Sequence, residues 1–127
     1  MLLTANQARM RDDGLVDASG MGWSGIRLPT PPIALILIIK LPFDQLATDH
    51  RVRIHLRDAD RRDIDIGMAF DLQLPLDDRR PTGAAADYAS VIDFPSDLPL
   101  EPDSTYEWVV SIDNVEVATR PIHTLSL

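Results

Sequence analysis

The stretch Tyr106-Glu-Trp-Val-Val-Ser-Ile-Asp-Asn-Val-Glu-Val-Ala-Thr-Arg-Pro121 constrains the fold more than any other part of the chain. Asp113-Asn114 joins two residue types that accept positive φ, the backbone state a two-residue hairpin turn requires. A hairpin closed there sets Ile112 opposite Val115, Val110 opposite Val117 and Trp108 opposite Thr119. Side chains alternate between the faces of a strand, so these residues share one face. Glu107, Arg120, Ser111 and Glu116 fall on the other, with Val109 and Ala118 between them. A ribbon apolar on one side and mostly polar on the other lies on a core, and Trp108, Val110 and Val117 are expected to be buried.

The rest of the chain reads the same way. Ten prolines and six glycines cut its 127 residues into short segments. None shows the i, i+3, i+4, i+7 repeat of an amphipathic helix. Leu2–Arg11 and Leu15–Ile26 flank Asp12-Asp13-Gly14, a three-residue loop with Gly14 in the left-handed position. That register pairs Met10 with Val16, Arg9 with Asp17 and Ala8 with Ala18. Gly20, Gly22 and Gly25, around Met21 and Trp23, suggest a bulge or a close backbone approach.

Arg51–Arg57 alternates strictly, with Val52, Ile54 and Leu56 inward and Arg51, Arg53, His55 and Arg57 outward. Ile64–Leu76 and Tyr88–Phe94 read as further strands, separated by the polar loop Asp77–Asp87. The expected architecture is about eight strands in a single antiparallel two-sheet β-sandwich, one domain over residues 1–127. A closed barrel is the alternative.

Ile33-Ala-Leu-Ile-Leu-Ile-Ile-Lys-Leu41 departs from the alternation. Ile33, Leu35, Leu37, Ile39 and Leu41 form a uniformly large face that belongs in the core. Ala34, Ile36 and Ile38 then stand where a sandwich strand meets water. Leaving two isoleucines exposed forgoes roughly 1.5–3 kcal/mol each. Ile36 and Ile38 are therefore expected to be covered, by the Pro42–His50 connection or by a second copy of the chain.

Three segments carry a resemblance. They are Leu3-Thr-Ala-Asn-Gln-Ala-Arg with Gly14-Leu-Val-Asp-Ala-Ser-Gly-Met-Gly-Trp23, His50-Arg-Val-Arg-Ile-His-Leu-Arg-Asp-Ala-Asp60, and Tyr106-Glu-Trp-Val-Val-Ser-Ile-Asp-Asn. Together they resemble a family of small uncharacterised bacterial β-sandwich proteins. The resemblance implies a β-sandwich and brings no assigned activity, so no catalytic residue follows from it. Where such proteins turn with Asp-Gly, this chain has Asp60-Arg61 and Asp113-Asn114, and the first implies a wider turn.

Composition narrows the chemistry. A net charge of -8 repels phosphate backbones and anionic membranes, so neither nucleic acid nor a membrane is an expected partner. Without cysteine there is no disulfide, thiolate nucleophile or thiolate-bound metal. The N-terminus lacks the basic and apolar regions of a signal peptide, and a cytoplasmic location is expected.

Asp58, Asp60, Asp63 and Asp65 offer hard oxygen ligands in a strand-connecting loop, but Arg61 and Arg62 sit among them and no glycine permits a tight wrap. His50, His55 and His123 lack metal-ligand spacing, and His55 is expected to be an exposed sheet residue. Ser24 lies in Met-Gly-Trp-Ser-Gly, which is not a nucleophile elbow. Trp23 could stack on a sugar ring, although a core position suits it better. The row Arg51, Arg53, His55 and Arg57 is either a strip for an acidic partner or a set of cross-strand ion pairs.

No cofactor is expected. The reading is a non-catalytic interaction or structural module, self-associating or bound to a protein partner. The alternatives are a calcium- or carbohydrate-binding module using the Asp58–Asp65 loop and Trp23, and a small hydrolase.

Overall fold

The computed structural model describes residues 1–46, 48–73 and 86–125. Its strands are β1 (Leu2–Ala5), β2 (Gln7–Met10), β3 (Val16–Ser19), β4 (Gly25–Ile26), β5 (Ile33–Leu41), β6 (His50–Asp58), β7 (Asp63–Leu72), β8 (Ala86–Phe94), β9 (Thr105–Ile112) and β10 (Val115–Thr124). A 3-10 turn, Phe43–Gln45, interrupts the connection after β5. No helix among the described residues is long and apolar enough to cross a membrane. Most of the expected loop Asp77–Asp87, and the end of the expected strand Ile64–Leu76, lie outside the described residues.

The described residues are all-β, as expected, but they form ten strands in three sheets rather than eight in two. The sheets run β1-β5-β8, β4-β10-β9-β6-β7 and β2-β3. The two extra strands arise because each of the first two expected strands breaks once. Leu2–Arg11 breaks at Asn6, whose N–H donates to the carbonyls of Ser19 at 3.1 Å and Gly20 at 3.2 Å. Leu15–Ile26 breaks over residues 20–24, where Gly20 and Gly22 take φ of 63° and 82°. Both values favour glycine, and a Cβ on Gly20 would press into the Asn6 side chain. The chain thus leaves the first sheet after β1, makes the β2–β3 hairpin, and returns to the second sheet. The purely antiparallel expectation also needs correction, because β4 runs parallel to the end of β10.

One core is shared by the three-stranded and five-stranded sheets. Leu35, Leu37 and Ile39 of β5 meet Val52, Ile54 and Leu56 of β6, with Trp108 and Val110 of β9 and Ile122 of β10. Trp108 is fully buried and packs on Phe94 with ring centroids 4.8 Å apart.

The C-terminal turn has the expected geometry, with φ of 51° at Asp113 and 68° at Asn114. Ile112 faces Val115 as expected. The register then slips at a bulge between Glu116 and Ala118, so Val110 faces Ala118 and Trp108 faces Arg120. Val117 is the extra residue and is 53% exposed instead of buried. β4 meets only His123 and Thr124, which leaves the earlier part of β10 as a sheet edge. A bulge and a proline (Pro121) both suit such an edge, because they spoil it as a template for another strand.

β5 is buried on both faces. Its second face is covered by the β2–β3 hairpin, whose Ala8, Val16 and Ala18 pack over Ala34 and Ile36 with Leu3, Ile38 and Val91. Ile36 is 3% exposed and Ile38 is half-buried. Within the chain the cover is therefore the β2–β3 hairpin rather than the Pro42–His50 connection. The hairpin itself closes as the residues require, with Met10 on Val16, Arg9 on Asp17 and Ala8 on Ala18.

Candidate functional site

The hairpin does not seal the sheet beneath it. Packed layers lie about 10 Å apart, and here several facing side chains are small. Ala8 and Ala18 project from the hairpin, with Ala5 and Ala34 in the same cluster on the sheet. Beside them a cleft of about 590 Å³ opens, within the range of small-molecule sites. Its apolar lining is Ala8, Ala18 and Pro32, next to Ile33 and Phe94, whose side chains belong to the main core, and its polar lining is Asn6, Gln7, Arg9, Asp17, Ser19 and Asp93. Arg9 and Asp17, opposite one another on β2 and β3, form an exposed ion pair at 3.4 Å. The Asp93 carboxylate, on β8 opposite Ala34 of β5, has no ion pair or hydrogen bond among the described residues. None of the candidate binding or metal residues named from the sequence lines this cleft.

The outer face of the five-stranded sheet holds the basic row. Each arginine meets an acid on a neighbouring strand, Arg51 with Asp71 and Arg53 with Asp63, both at 3.1 Å. Arg57 donates from Nε to Glu107 at 2.8 Å, contacts the same carboxylate through Nη2, and donates from Nη1 to Glu116 at 2.7 Å. It thereby spans β9 from β6 to β10. His55, expected to be exposed, is only 7% exposed. Its neighbour Val109 on β9 is fully buried. The long arginines reach sideways to their acids and close over the middle of this face. Burial first, then the Arg53 charge, pushes His55 below its ordinary pKa and keeps the ring neutral. Its Nε2 lies 3.4 Å from Asp63, and its buried Nδ1 has no hydrogen-bond partner among the described residues. On β9 the cross-strand neighbour of His55 is Val109, and that of Arg53 is Ser111.

His50 is the other buried histidine. Its Nδ1 lies 2.8 Å from Asp113 Oδ2 and its Nε2 lies 2.8 Å from the Gln45 carbonyl. Both partners are acceptors, so both bonds form together only in the imidazolium. The Gln45 carbonyl, then Asp113, hold its pKa above the ordinary value. The other oxygen of Asp113 accepts from the Arg51 N–H at 2.9 Å. That bond first, then His50, holds the Asp113 carboxyl below its usual range. The C-terminal turn is thus fastened to β6 and to the 3-10 turn by one ring, which holds both partners at once when protonated.

The aspartate loop does not gather as ligands. Asp58 Oδ1 accepts from the Asp60 and Arg62 N–H groups at 2.9 Å each, which shapes its own turn. Arg61 sits at φ 64° in the wide turn that Asp60-Arg61 implied. Asp63 is held by Arg53, and Asp65 is not brought to the others. Among the described residues no three His, Asp or Glu side chains converge to hold a metal ion. Trp23 is half-buried against the main core, and its carbonyl accepts from Thr4 Oγ1 at 2.6 Å.

The cleft residues were missed because none belongs to a chemically distinctive type. The available signal was the register that sets Ala8 against Ala18, two small residues on the face that must cover Ile36 and Ile38.

The model of a family of unknown function, DUF6941, matches residues 1–124, and the chain belongs to that family. Among curated proteins none matches the chain.

Proposed function

We propose that this chain is a non-catalytic binding module whose recognition surface is the cleft beneath the β2–β3 hairpin. The carrying observation is that this concavity joins an apolar floor to a polar rim, while the conspicuous chemistry-bearing side chains serve the fold. His50 fastens a turn, Arg57 bridges two glutamates, and Asp58 caps its own loop. That use of Asp58 supports recognition through the cleft over calcium in the aspartate loop. The half-burial of Trp23 supports it over a sugar platform. A cysteine-free chain supports a cytoplasmic setting.

A thermal-shift screen of small organic fragments tests the reading, run on the native chain and on Ala18→Leu, which fills the cleft. Fragments should raise the melting temperature of the native chain and leave the variant unmoved. Equal stabilisation of both proteins, or hydrolytic turnover by the purified chain, would overturn it.

A further inference from the structure

We propose that the cleft takes a small organic ammonium ion, an apolar body carrying a primary or secondary amine. The inference rests on the reading of the cleft as the recognition surface and adds the class of its ligand. Ala8, Ala18 and Pro32 offer an apolar seat beside the charged walls of Arg9, Asp17 and Asp93.

The charges on the walls are unequal. Arg9 is answered by Asp17 at 3.4 Å, and Asp17 also lies 3.8 Å from Arg11, outside the cleft. Asp93 is answered by nothing among the described residues. It stands on the face of β8 that carries Val91, which packs in the cluster under the hairpin, and opposite Ala34 in the register. Its carboxylate is therefore the unmet charge of the cleft. A carboxylate in that state accepts from an ammonium donor through a charge-assisted hydrogen bond. Asn6, Gln7 and Ser19 add neutral groups that can orient the remainder of a ligand. A net charge of -8 favours the approach of cations and disfavours anions.

The test titrates the full chain with phenethylammonium and, separately, phenylacetate, which share a ring and differ in charge. Backbone amide resonances report the site. Phenethylammonium should shift residues around Gln7–Arg9, Asp17–Ser19 and Asp93 saturably, and phenylacetate should bind at least tenfold more weakly. Asp93→Asn, isosteric at an exposed position, should keep the native spectrum and lose at least tenfold in ammonium affinity. Ala18→Leu should abolish the shifts.

Undiminished binding to Asp93→Asn, or equal binding of both probes, would overturn the ammonium assignment while leaving the cleft as the site. Absence of shifts with either probe would overturn the assignment as well. Shifts that persist in Ala18→Leu would overturn both the assignment and the cleft.

Discussion

Replacing His50 with alanine removes a buried ring and two hydrogen bonds that join three parts of the chain. The cost at pH 6 should be about 2 kcal/mol, toward the low end for a charge-assisted contact, because one partner is reached by water. In a domain of this size that lowers the melting temperature by roughly 8 °C.

The cost must depend on pH in one direction. The folded pKa of His50 is raised above the unfolded value of about 6.5, so its stabilisation is fully present below that value. It fades as pH rises through the folded pKa. A neutral ring keeps one of the two bonds, so the gap between native and variant should fall to about half by pH 9. Asp113, with its depressed pKa, contributes at the acid end: its stabilisation is present above the unfolded carboxylate value and lost as pH falls through the folded one. It is therefore constant between pH 6 and 9. Calorimetry of both proteins at pH 6 and pH 9, at matched ionic strength, measures the gap. A gap that is unchanged or wider at pH 9 would refute the protonated clamp.

His55 should behave in the opposite sense. Its folded pKa is lowered, so its contribution is present above about pH 6.5 and lost as pH falls through the folded value. His55→Gln should flatten the loss of stability below pH 6.5, and an unaltered acid profile would contradict its burial as a neutral ring. Gly67→Ala should cost about 2 kcal/mol or more in urea unfolding, because a Cβ there runs into the Ile54 carbonyl of the adjacent strand. An unchanged midpoint would mean that β6 and β7 have room to part. Calcium should leave the melting temperature unmoved, whereas a site held at a hundredfold its dissociation constant would add about 2.7 kcal/mol. A rise abolished by Asp58→Asn with Asp60→Asn would reverse the reading of that loop.

Short-range patterns were legible where one turn and one alternation decide the outcome. The loop with Gly14 fixed the β2–β3 register, and Asp113-Asn114 fixed the first pair of the C-terminal hairpin. The burial of Trp108 and of both faces of β5 followed from alternation and from its absence. The slip at Val117 was not legible, because a bulge depends on which strand lies beyond an edge. His55 looked exposed because alternation assigns a face but not what closes over it. Arg57 crosses that face to two glutamates distant in sequence. The cleft escaped notice for a related reason: it arises from small residues meeting across layers, and no local pattern marks a meeting of that kind.

The most direct test is an isotope-filtered NOE measurement on a sample mixing labelled and unlabelled chains. It asks which chain supplies the cover over Ile36, since that cover builds the cleft. Contacts from the Ile36 methyls to Ala8, Val16 and Ala18 should arise within one chain. Contacts seen only between labelled and unlabelled chains would show that a second copy covers the sheet, and the cleft as described here would not exist.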